Sequence, residues 1–225
     1  MKLNLGVEPL FLISYTIDMP SKYVIRNLRG NSYYHVYDKG VEGGKIFLDR
    51  QDYETFLYYL YVYTAAPTEI QEKYPELPLR LKAKNLLGEI YLVGYCLMPN
   101  HFHLLLKQKS ERSMPKFIKQ VINGYTTYFN KKYKRKGAIF QGRYKSMRID
   151  SEYLLVQMAR FVHLNPSIAG LCVNLRDYPW SSYVNHRLTG GIINRFGNVE
   201  DWEKFHLDKN SYESNFNKIK NLTID

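Results

Sequence analysis

The segment GEIYLVGYCLMPNHFHLLLKQ, residues 88–108, decides the fold. GEIYLVGYCLM (88–98) and HFHLLLKQ (101–108) are apolar runs of strand length, and the Pro99-Asn100 pair between them turns the chain, so the stretch predicts two antiparallel neighbours. The second run carries His101 and His103 among apolar residues. An unpaired imidazole is costly to bury, so these two should have partners. Side chains two apart on a strand share a face, which sets the two imidazoles side by side with Phe102 on the other face. Such a pair can ligate one divalent ion with positions left open for water or a phosphate oxygen, or it can be a pair of hydrogen-bonded structural histidines.

Working outward, NSYYHVYDKG (31–40) alternates and reads as a strand, and DRQDYETFLYYLYVY (49–63) reads as a helix with Asp49 as its cap. TAAPTEIQEKYPELPLRLKAKN (64–85), rich in proline and mixed charge, reads as a loop or insert. Residues 114–131 form a helix with Pro115 in its first turn, a basic loop follows, and a short strand lies near 143–149. DSEYLLVQMARFVHLNP (150–166) is a helix with an Asp or Ser cap that stops before Pro166. Strand, helix, strand, strand, helix, strand and a further helix give an α+β chain: a ferredoxin-like antiparallel sheet with helices on one face. The expected division is an N-terminal extension (1–30), one domain (31–183) and a C-terminal tail (184–225).

The 225-residue chain is 45% hydrophobic and 24% charged, as ordinary globular proteins are. No apolar run approaches the roughly 20 residues of a membrane span, and Glu8 and Pro9 spoil the start as a signal peptide, so a cytoplasmic protein without a membrane partner is expected. Two cysteines exclude a disulfide framework and a Cys-rich zinc site. Between Lys107 and Arg148 thirteen Lys or Arg face one acid, a local net charge of +12 that exceeds the +11 of the whole chain. Phe117, Tyr125, Tyr128, Phe129, Tyr133, Phe140 and Tyr144 are interleaved with it. The cations suit phosphate and rings can stack on bases, which points to a single-strand nucleic-acid surface with Lys131, Lys132, Lys134, Arg135, Lys136, Arg143 and Lys145 as candidate contacts. The alternative is a solvated helix face and loop, and most of the rings are expected in the core.

MPNHFHLLL, FNKKYKRKGAIFQGRYKS, RFVHLNPSIAG and YPWSSY, in that order between Tyr33 and Tyr183, closely resemble the HUH single-tyrosine transposases, in particular the REP-associated branch. The resemblance implies a ferredoxin-like domain that binds and cuts single-stranded DNA, often near a hairpin, with one Mg²⁺ or Mn²⁺. It implies that His101 and His103 are metal ligands and that Asn165 is the third. It also implies an attacking tyrosine four residues before Asn165, where this chain has Phe161. A phenyl ring has no oxygen to attack phosphorus. Three readings follow: cleavage lost with DNA binding kept, a sequence altered to trap substrate, or another tyrosine in use. Tyr153, on the same helix, is the weak substitute, since eight residues rotate it about 80° from Phe161. Tyr125 and Tyr128 are expected to be packing residues, as are His35 and His163, and Trp180 is expected to pin the tail. The functional classes are thus a metal-dependent DNA nickase or strand transferase, and a noncatalytic DNA-binding protein of transposase descent. A metal hydrolase using water is weaker, because no carboxylate base accompanies the histidines. Homodimerisation is left open.

Overall fold

Four strands carry the domain: β1 (Ser32–Lys39), β2 (Ile90–Met98), β3 (His101–Gln108) and β4 (Lys145–Ile149). Four helices accompany them: α1 (Arg50–Thr64), α2 (Pro67–Lys73), α3 (Ser113–Lys132) and α4 (Glu152–Ile168). The computed structural model describes residues 28–78, 81 and 84–184, so most of the expected N-terminal extension and all but the first residue of the expected tail lie outside it. The strands lie in the order β2-β3-β1-β4 with every neighbouring pair antiparallel. β1 and β2 are therefore separated by β3, as in the expected ferredoxin-like split arrangement.

Alternation along β1 and β3 sorts the two faces. Tyr34, Val36, Phe102, Leu104 and Leu106 form one core with Phe56 and Leu60 of α1 and Phe117, Val121 and Tyr125 of α3. α1 and α3 thus share one face, as expected. The opposite face carries Leu105 of β3, Val93, Cys96 and Met98 of β2 and Ile149 of β4, against Leu155, Met158, Phe161 and Val162 of α4. β2 and β3 have to be apolar on both sides because helices cover both sides.

Three expectations are corrected. The helices do not all lie on one face, because α4 covers the face opposite α1 and α3. The proline-rich stretch after α1 contains α2, which starts with Pro67 where a missing N–H costs nothing. α4 does not stop before Pro166 but runs to Ile168. A proline near a helix end disturbs only the turn before it, and the Pro166 carbonyl still accepts from Leu171 N–H at 2.8 Å. Beyond α4, the 178–183 segment runs along β2: Leu97 N–H donates to the Trp180 carbonyl and Ser182 N–H to the Tyr95 carbonyl, 2.9 Å each. The Trp180 ring stacks on Tyr53 at 4.5 Å, which pins the segment over the sheet edge.

α1 starts on a capping box between Asp49 and Asp52. The fully buried Asp52 carboxylate also accepts from Leu48 N–H (2.8 Å), Tyr133 Oη (2.8 Å), Tyr128 Oη (3.0 Å) and Lys132 Nζ (2.9 Å), so it ties the end of α3 to the start of α1. Asp52→Ala removes the buried carboxylate shared by Lys132, Tyr128, Tyr133 and Leu48 N–H and leaves Lys132 with Asp49 as its only carboxylate, so a loss of about 2 kcal/mol in urea unfolding is expected. A loss below about 1 kcal/mol would show that this network does not hold the helices together.

Candidate metal and DNA site

His101 and His103 share the α4 face of the sheet, because β3 is extended and Phe102 points into the other core. Their rings are 5.0 Å apart and nearly perpendicular. The pairing of β1 with β3 sets Lys39 opposite His101, Tyr37 opposite His103 and His35 opposite Leu105. His35 joins the cluster directly: its Nε2 is 2.8 Å from His103 Nδ1 and the rings stack at 5.0 Å. Tyr37 stacks on His35 at 5.2 Å and lies 5.9 Å from His103. Its hydroxyl is buried without a hydrogen-bond partner among the described residues. Burial, then the adjacent Asp38 carboxylate, push the Tyr37 phenol pKa up.

α4 covers this face with Phe161 and Asn165. The Phe161 ring stands edge-on to both His103 (5.6 Å, 81°) and His35 (5.9 Å, 83°). Asn165, one turn on, donates from Nδ2 to the Phe161 carbonyl at 2.8 Å, and its side chain lies near His103. With the amide nitrogen used on the helix backbone, the oxygen is the atom left as a candidate metal ligand. Thus the structure sets His101, from the same strand, and Asn165, from a helix, each beside His103.

The electrostatics keep the imidazoles neutral. Burial lowers the pKa of His35 to about 3, and burial followed by the Lys39 charge lowers that of His101 to about 4. His103 is held well below the usual value by burial and then by its two histidine neighbours. Neutral imidazole is the ligating form. Among the described residues no three His, Cys, Asp or Glu side chains gather as a metal-binding group. The donor set is two imidazoles and an amide oxygen, which fits an oxygen-preferring divalent ion with open positions for water or phosphate.

The cations are unequally placed. Lys145 pairs with Tyr37 across β1 and β4, so it shares the histidine face, and exposed Lys39 lies opposite His101 on that face. Lys131, Lys134, Arg135, Lys136 and Arg143 are exposed. The loop they border is stitched to the end of β1: Val41 N–H donates to the Ile139 carbonyl and Gln141 N–H to the Lys39 carbonyl. Gly40 N–H donates in turn to the Asn100 carbonyl beside His101, so the basic loop and the histidines occupy the same end of the sheet. Lys132 differs, for its ammonium is held by Asp49 at 2.7 Å and Asp52 at 2.9 Å. Its charge serves the helix pair.

Tyr153 is exposed in the first turn of α4, two turns from Phe161. Tyr125 donates to the Ile46 carbonyl and Tyr128 to Asp52, so both are structural. His163 is buried against Ser182 Oγ at 2.8 Å. The sequence reading left His35 outside the site and passed over Tyr37. The alternation of HVY along the first strand set both on one face, but nothing local says which strand becomes their neighbour.

Residues 67–163 match the family model described as "Transposase IS200 like". Over this span the chain is similar to IS200-like transposases. The matched span of the IS200-like domain contains His101, His103 and Phe161 and ends two residues before Asn165. Among solved structures, a REP-associated tyrosine transposase bound to a REP hairpin is 14% identical, covering 80% of this chain and 93% of that one with a TM-score of 0.49. A transposase-like protein of Deinococcus radiodurans R1 is 15% identical, covering 58% and 87%, with a TM-score of 0.35. No protein of curated function matches the sequence. Among the described residues, no helix of this IS200-like chain is long and apolar enough to cross a membrane.

Proposed function

We propose that this protein binds single-stranded or hairpin DNA and seats a phosphate at His101, His103 and Asn165 with Mg²⁺ or Mn²⁺, but does not cut the strand from α4. A divalent ion bound there supplies charge neutralisation and orientation for a nonbridging phosphate oxygen. The chain's own residues do the rest. Neutral imidazoles present nitrogen lone pairs, the anchored amide presents oxygen, and Lys39 and Lys145 place positive charge on the same face. Phe161 carries the reading: its ring stands edge-on to His103 and His35 from the helix position that precedes Asn165 by one turn, and it holds no nucleophilic atom.

Affinity comes from the loop and helix end bearing Lys131, Lys134, Arg135, Lys136 and Arg143. Such contacts release counterions, so binding should fall steeply as salt rises. Fluorescence anisotropy with a labelled hairpin strand tests this. Single-stranded or hairpin DNA should bind more tightly than blunt duplex. Reversing Lys134, Arg135 and Lys136 to Glu should weaken binding at least about tenfold at 0.1 M salt, by a similar factor for unrelated sequences. Lys132 is left out because its loss would disturb α1. Binding that is indifferent to salt and to the reversal would remove nucleic acid from the reading.

A further inference from the structure

The third imidazole of the cluster, His35, has no part in the donor set. We propose that His35 is a positioning residue that makes His103 a metal ligand through Nε2, by accepting a hydrogen bond from His103 Nδ1–H. The inference rests on the metal-site reading given above.

One hydrogen bond joins the two rings, His35 Nε2 to His103 Nδ1 at 2.8 Å, and one proton lies in it. If His35 donates, a neutral His103 carries its own proton on Nε2 and has no lone pair for a cation. If His103 donates, Nε2 is bare and available for ligation, and His35 carries its proton on Nδ1. Only the second arrangement allows His103 to bind metal. His101 shows the same device on the same strand. Its Nδ1 is 2.7 Å from Asn100 Oδ1, an atom that can only accept, while the Asn100 amide nitrogen donates to the Gly43 carbonyl. The His101 Nδ1 therefore carries the proton and its Nε2 is free. Each candidate histidine thus has its Nδ1 tied to an acceptor supplied by a neighbouring residue, one from the β2–β3 turn and one from β1. Such partners fix the tautomer and ring orientation of metal-bound histidines, and their loss typically costs about 10- to 100-fold in metal affinity. Only 5% exposed and stacked between Tyr37 and His103, His35 also holds the ring plane.

A purely space-filling His35 predicts something different. His35→Phe keeps a ring and removes the acceptor, whereas His35→Gln keeps an acceptor and removes the ring. Mn²⁺ calorimetry on the full chain should show His35→Phe weaker by about 10- to 100-fold and His35→Gln within about fivefold of the parent. His103→Ala is measured alongside. Nitrogen-15 NMR of the Mg²⁺-saturated parent provides a readout that needs no variant: a coupling across the hydrogen bond with the proton on His103 Nδ1. If His103→Ala abolishes binding while His35→Phe binds as the parent does, or if the proton lies on His35 Nε2, this inference fails alone. If His103→Ala binds Mn²⁺ like the parent, the metal-site reading fails and the inference falls with it.

Discussion

Phe161→Tyr is expected to convert a protein that forms no covalent DNA adduct into one that does, in the presence of Mn²⁺ and a hairpin-bearing single strand. Residues 161 and 165 are about 40° apart around a helix, so both side chains lean to the same face. The geometry bears this out, since Asn165 lies near His103 while the Phe161 ring stands edge-on to the His103 and His35 rings. A hydroxyl at the ring tip adds one atom beside a site meant to admit a phosphate. The step it permits is an ester exchange: the phenol oxygen bonds to phosphorus, the bond to the 3′ oxygen breaks, and the phenol proton leaves as the 3′ oxygen gains one. The ester energy is retained in the phosphotyrosine, so strand joining needs no ATP. Because a phenyl ring has no lone pair to donate, the contrast should be all or nothing on a denaturing gel. An adduct from the parent would contradict this account, and peptide mapping would name the tyrosine. Tyr37, already against His35 and His103, is then the first to inspect.

The next largest effect is expected at the histidines themselves. His101→Ala or His103→Ala should lower Mn²⁺ affinity at least about a hundredfold, and the double variant should show no saturable binding by calorimetry. Both imidazoles are neutral near pH 7 because burial, more than any partner, depresses their pKa values, so no proton competes for the ligating nitrogens. The variants should fold. The sheet is held by backbone pairing along β1, β2 and β3 and by the aromatic core on the other face, neither of which uses these side chains. A thermal melt beside each titration checks that. A double variant that binds Mn²⁺ as the parent does would move the metal elsewhere.

Much of this was legible in the sequence, for local reasons. Two apolar runs around Pro99-Asn100 specify a hairpin, and alternation alone sets His101 and His103 against Phe102. Asp49 announces α1 because capping is a local contact. What stayed hidden depends on contacts between distant residues. His35 and His103 are 68 positions apart and meet only because β1 pairs with β3 in one register. Lys132 looked like part of the phosphate surface because the sequence does not show that Asp49 and Asp52, some 80 residues earlier, reach it first. Pro166 suggested a helix end, but its carbonyl found Leu171 and the helix ran on to Ile168. The face on which α4 packs follows from the apolar residues on both sides of β2 and β3. Period-two reading detects those residues without saying which helix covers them.

The most direct test of the central claim is one binding mixture of the parent protein, a labelled hairpin-bearing strand and Mn²⁺, divided between a native and a denaturing gel. The account predicts a salt-sensitive shift on the native gel and intact, protein-free DNA on the denaturing one. Unshifted DNA on the native gel, or a protein-linked band on the denaturing gel, would contradict it.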